Sequence, residues 1–155
     1  MRRTGGCQCG AVRFAVEGEL GRASICHCRM CQKAFGAPYG ALVSIEVAHL
    51  TWTRGEPARF ASSNKVLRGF CSACGTPLTF EWSAKTIDLA ICAFDEPDDL
   101  APTIQLAIPS AVAWVNETAG LPTRSVEEDE QVAGFYDDLV SHQHPDHDTE
   151  SWPHG

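Results

Sequence analysis

Apolar side chains recur along this chain in short stretches, either alternating with polar ones or running together. VRFAV (12–16), RASI (22–25), ALVSIEV (41–47), LTWT (50–53), ARFAS (58–62), KVLRGF (65–70), TPLTF (76–80), TIDLAIC (86–92) and TIQLAI (103–108) are separated by Gly, Pro, Asn or Asp. A period of two broken by such turn residues predicts strands, so the core is expected to be mainly β. Two segments carry a helical pattern instead. A short helix is predicted from Arg29 to Phe35, ending before Gly36 and Pro38. A second follows the acidic run Glu127 to Glu130, with Val132, Phe135, Tyr136, Leu139 and Val140 as an apolar stripe expected to pack on the body. From Ser141 the tail SHQHPDHDTESWPHG is polar and histidine-rich, with two prolines, and is expected to be disordered. The expected organisation is one domain over 1–140 and a tail over 141–155.

Composition narrows the function classes. A formal net charge of -8 argues against a nucleic-acid partner, which needs a contiguous basic surface. No run is long and apolar enough for a membrane span, and the start MRRTGGCQCG lacks the apolar segment of a secretion signal, so a cytoplasmic protein is expected. Phosphate-loop, G-x-G-x-x-G and G-x-S-x-G motifs are absent. Oligomeric state is not legible.

Eight cysteines change the picture. With nothing directing the chain to an oxidising compartment, metal binding is the better explanation than disulfides. Cys7-x-Cys9, Cys26-x-Cys28-x-x-Cys31 and Cys71-x-x-Cys74 are closely spaced, and only Cys92 stands apart. A structural zinc takes four ligands in a closed tetrahedron, whereas a catalytic one keeps a position open. The seven clustered cysteines therefore divide into Cys7, Cys9, Cys71 and Cys74 around one ion, and Cys26, Cys28 and Cys31 around another. Alternatives stay open: a redox C-x-x-C at Cys71 and Cys74, or a second structural zinc completed by His27 or a tail histidine. His27 is expected to point away from the ion, and Cys92, inside an apolar strand, to be a buried inert thiol.

GGCQCGAVRF (5–14), CHCRMCQKAFGAP (26–38) and FCSACGTPL (70–78) together resemble the glutathione-dependent formaldehyde-activating enzyme family. DLAICAFDEPDDLAP (88–102) and AWVNETAGLP (113–122) extend the likeness, which covers roughly residues 4 to 122. The resemblance implies a zinc-binding β-tent fold, a structural zinc on Cys7, Cys9, Cys71 and Cys74, and a catalytic zinc on Cys26, Cys28 and Cys31. It also implies a carbon-sulfur lyase that joins glutathione and formaldehyde to S-hydroxymethylglutathione. Arg29, Lys33, Arg54, Arg59 and Arg68 are the basic residues available to the carboxylates of such a thiol. Two other readings remain: a non-catalytic zinc- or thiol-binding module acting through a partner, and a zinc-containing methionine sulfoxide reductase-like enzyme.

Overall fold

The computed structural model describes residues 1–152 of the 155-residue chain. Among the described residues ten strands form: β1 (Arg2–Gly6), β2 (Arg13–Glu17), β3 (Ala23–Cys26), β4 (Gly40–Glu46), β5 (Leu50–Arg54), β6 (Ala58–Ala61), β7 (Leu67–Phe70), β8 (Pro77–Glu81), β9 (Thr86–Ala90) and β10 (Ile104–Leu106). Helix α1 spans Arg29–Phe35 and α2 spans Val126–Tyr136. No helix among the described residues is long and apolar enough to cross a membrane.

Strands β1, β2 and β5 make a three-stranded antiparallel sheet, and the other seven run in the order β10-β3-β4-β9-β8-β7-β6. Within the larger sheet only β10 lies parallel to its neighbour, β3. The sheets close over Phe14, Val16, Val43, Ile45, Leu78 and Leu89, all among the most buried side chains. Burying each such side chain contributes about 1.5–3 kcal/mol. Phe14 sits at the seam, with Phe94 and Trp52 edge-on at 5.0 and 6.0 Å between ring centroids. A backbone bridge from Gly5 to Phe94 ties the small sheet to the segment after β9. It needs glycine, since a Cβ on Gly5 would lie 2.3 Å from the Ala93 carbonyl oxygen.

Three elements differ from the pattern-based expectation. Strand β1, RRTGG, carries no apolar alternation, yet it pairs residue by residue with β2 from Arg2↔Glu17 to Gly6↔Arg13. The run TIDLAIC does not stay extended: β9 stops at Ala90, and Ile91–Ala93 forms a 3-10 turn. That turn buries Ile91 and Ala93 and leaves Cys92 exposed, so Cys92 is not the buried thiol that its strand-like surroundings suggest. The stripe on α2 is not packed either. No α2 residue is buried, Phe135 is 69% exposed and Tyr136 53%, and the helix ends before Leu139 and Val140. What holds α2 is local: Ser125 caps it, accepting from the Glu128 amide while the Glu128 carboxylate accepts from the Ser125 amide.

The segment from Ser141 to Trp152, polar but for Pro145 and Trp152, lies against the body through His144 and Asp148; residues 153–155 of the tail are outside the described residues. The His144 amide donates to the Gln8 carbonyl at 2.7 Å, and its ring is 2% exposed. Asp148 accepts from Arg2 at 2.8 Å and Arg13 at 2.9 Å. Composition reports how little apolar surface the tail carries, whereas these contacts depend on partners far along the chain.

Candidate metal centres

Two tight turns of like construction build the first site. Between β1 and β2, the Cys7 amide donates to the Val12 carbonyl (2.9 Å) and the Gly10 amide to the Cys7 carbonyl (3.0 Å). Between β7 and β8, the Cys71 amide donates to the Thr76 carbonyl (3.0 Å) and the Gly75 amide to the Cys71 carbonyl (2.8 Å). Each turn closes with a glycine after its second cysteine, at φ +72° for Gly10 and +80° for Gly75, where an L side chain is disfavoured. A hydrogen bond from the Gln8 amide to the Thr76 hydroxyl (3.0 Å) joins the turns.

The result brings the Cys7, Cys9, Cys71 and Cys74 sulphurs within 4.8 Å of one another. Cys9 Sγ stands 3.7 Å from Cys7 Sγ and 3.8 Å from Cys71 Sγ. A tetrahedron with metal–sulphur bonds of about 2.3 Å has edges of about 3.8 Å, so the four sulphurs fit a closed tetrahedral ion. Their surroundings pull the thiols in different directions. Burial pushes the Cys7 thiol up to about 12, whereas at Cys74 burial is outweighed by hydrogen bonds from the Thr76 side chain and the Thr76 and Cys9 backbone, which bring it down to about 6. On their own the four sulphurs are therefore not all thiolate at neutral pH, and a bound cation is what would bring Cys7 to that form.

The second group is Cys26, Cys28 and Cys31, again with sulphurs within 4.8 Å, and no fourth His, Cys or carboxylate joins it among the described residues. Cys26 ends β3, and Cys28 is the N-cap of α1, its sulphur accepting from the Cys31 amide at 3.3 Å. Burial raises the Cys28 thiol, but the Cys31 amide and the neighbouring thiols more than offset it and the net shift is downward. Cys31 is 2% exposed and burial pushes it up to about 12, while Cys26 and Cys28 are half-buried. The group therefore has a closed side at Cys31 and an approachable side at Cys26 and Cys28.

The surroundings are ordered by residues that spacing does not single out. Gln32, buried, donates its amide to the His27 and Ser110 carbonyls at 2.9 Å each, pinning α1 to the end of β3 and to the segment after β10. His27 is 1% exposed, edge-on to Tyr39, with Nε2 3.0 Å from Gln105 Oε1, and it is not part of the sulphur group. Of the five basic candidates, Arg68 reaches the site, with Nη2 3.3 Å from Cys31 Sγ. Arg29 and Lys33 lie on the exposed face of α1, with Arg29 bonded to Gln32 Oε1 at 3.0 Å. Arg54 is taken by Gly10, His144 and Thr149, and Arg59 by Glu81. The signal for Arg68 is a cross-strand register, Arg68↔Phe80, that a single sequence does not display.

Residues 2–110 match the family described as glutathione-dependent formaldehyde-activating enzyme. A Schizosaccharomyces pombe protein named an uncharacterized lyase is 28% identical over 111 residues, covering 61% of this chain and 80% of its own. A crystal structure of a Rhodobacter sphaeroides protein superposes with a TM-score of 0.54 at 22% identity, over 66% of this chain and 98% of that one, a likeness of fold.

Proposed function

The chain belongs to the glutathione-dependent formaldehyde-activating enzyme family, and from that membership we propose that it is a zinc-dependent carbon-sulfur lyase joining glutathione and formaldehyde to S-hydroxymethylglutathione. The name of its fission-yeast relative supports the lyase class. The observation that carries the reading is the group of Cys26, Cys28 and Cys31, three sulphurs in reach of one ion with no fourth protein ligand among the described residues. Cys7, Cys9, Cys71 and Cys74 would hold a structural zinc whose binding free energy adds to folding.

Zinc held by Cys26, Cys28 and Cys31 would supply the positive charge that stabilises a substrate thiol as thiolate at neutral pH, although its free pKa is about 8.5. The protein's part is positional. The Cys28 cap and the two Gln32 hydrogen bonds fix the three sulphurs as one unit, so that none has to be ordered when substrate arrives. Arg29, which follows Cys28, and Lys33, one turn further along α1, are both exposed and would attract the carboxylates of glutathione. In the reaction the thiol sulphur's electron pair forms the C–S bond to the carbonyl carbon, and the thiol proton ends on the former carbonyl oxygen. The reverse step breaks that bond and returns the aldehyde.

Metal analysis and exchange spectroscopy test the reading together. Close to two zinc ions per chain are expected, with S-hydroxymethylglutathione forming faster than in buffer and the enhancement absent in Cys28→Ser. Two zinc ions with thiol binding but no acceleration would leave a thiol-binding module in place of the enzyme.

A further inference from the structure

Two arginines are buried in this fold, and they are treated differently. Arg13 has its guanidinium forked onto Asp95 at 2.7 and 2.8 Å and reaches Asp148 as well. Arg68, 3% exposed, has no carboxylate within ion-pair range among the described residues. Its partners are the Ser62 hydroxyl at Nε (3.0 Å), the Phe80 ring beneath its guanidinium (4.8 Å to the centroid) and the Cys31 sulphur at Nη2 (3.3 Å). Nη1, also buried, has no partner. A carboxylate is close in sequence: Glu81 follows Phe80, but strand alternation turns it to the other face, where Arg59 takes it at 2.9 and 3.0 Å.

A buried cation without an anion is costly, and so is a buried donor left unbonded. Arg13 also leaves Nε unbonded but has two carboxylates, whereas Arg68 carries both costs and has Nη2 against Cys31. Three thiolates around a divalent ion carry an excess negative charge, which is the anion Arg68 otherwise lacks. We propose that Arg68 is a positioning residue of the three-cysteine site: its guanidinium holds the Cys31 sulphur and offsets the excess thiolate charge, so that the site retains its metal. This rests on the reading of Cys26, Cys28 and Cys31 as metal ligands given above. Charge offset from the closed side would leave the ion's open side a better acceptor for an anionic sulphur, and the Phe80 face and the Ser62 hydroxyl hold the guanidinium in place.

The test compares wild type, Arg68→Met and Arg68→Lys loaded with zinc or cobalt(II). Chelator competition reads the affinity of each site, and the sulphur-to-cobalt charge-transfer band, after subtraction of the Cys28→Ser spectrum, reads the three-cysteine site alone. Arg68→Met is expected to keep the metal of the four-cysteine site, to hold the second metal about 10- to 100-fold more weakly, and to move the band to lower energy. Arg68→Lys, which keeps the charge but loses the planar fork, should fall between. Equal affinity and an unchanged band in Arg68→Met overturn the proposal. If Arg68→Met does not fold, an Arg68→Lys protein indistinguishable from wild type overturns it equally. Wild type that binds one metal per chain overturns the three-cysteine reading, and this inference with it.

Discussion

At the scale of single residues, Arg13 and Asp95 show what burial does to a charge pair. Their side chains are 4% and 8% exposed, the contact is bidentate, and the Thr4 hydroxyl donates to the same carboxylate. Removing one member of such a pair strands the other, which costs about 3–5 kcal/mol. Because Asp148 still reaches Arg13, Asp95→Ala should fall near the lower end, about 3 kcal/mol in urea unfolding of the metal-loaded protein. Asp148→Asn should cost less than about 1 kcal/mol, since that carboxylate is 40% exposed and water replaces most of what is lost. Similar costs for the two variants would mean that the pair is not the anchor of β2. Gln32 belongs to the same class. Its two hydrogen bonds satisfy the His27 and Ser110 carbonyls, so Gln32→Ala should destabilise by about 2 kcal/mol and loosen the Cys26–Cys31 segment in amide exchange.

At the scale of elements, the two cysteine groups differ in what they join. The four-cysteine group ties β1–β2 in the small sheet to β7–β8 in the large one, positions more than sixty residues apart in the chain. The three-cysteine group is local to the end of β3 and the start of α1. Cys7→Ser or Cys71→Ser should therefore drop the unfolding midpoint steeply, because a cross-link between sheets is lost, while Cys28→Ser should fold and lose only the second metal. Equal damage in all three would make both sites structural. The same contrast explains what the sequence made legible. Cysteine spacing gave both groups and α1 showed its full extent, since each is encoded within a few residues. Strand β1 was hidden because its pairing with β2 runs through backbone groups that Arg, Thr and Gly provide as well as Val would. The turn that exposes Cys92 comes where β9 stops at Ala90, and α2 stays exposed because its stripe meets no partner, neither of which periodicity reports.

At the scale of the molecule, charge is divided along the chain: after residue 106 Arg124 is the single Lys or Arg, against a run of acids that includes Asp146, Asp148 and Glu150. The tail returns that charge to the basic part of the body, over the four-cysteine turns. His144 seats in the space left by Gly10, where a Cβ would lie 2.3 Å from the ring, and contacts Arg54 at 3.3 Å and Trp152 edge-on. Burial, then the positive charges of Arg13 and Arg54, hold the His144 pKa below its ordinary value, against the opposing pull of the Pro145 carbonyl and Asp95. Asp148 is also held low: partial burial works to raise it, and hydrogen bonds from Arg2 and Arg13 more than offset that. A depressed folded pKa means docking is favoured by the deprotonated form, neutral for His144 and anionic for Asp148. The His144 contribution is thus fully present above about pH 6.5 and lost as pH falls through the lower folded value. That of Asp148 persists to below about pH 4. Acidification should release the tail in two steps, the first of them between pH 7 and 5 while the sheets remain folded, seen as loss of amide protection over 141–149 with the core amides unchanged. His144→Gln removes the first step and keeps the second, whereas Gly10→Ala, disfavoured at φ +72° and colliding with the ring, should undock the tail at every pH. Tail protection that stays flat from pH 7 to 5 in the wild type would show that His144 is not what holds it.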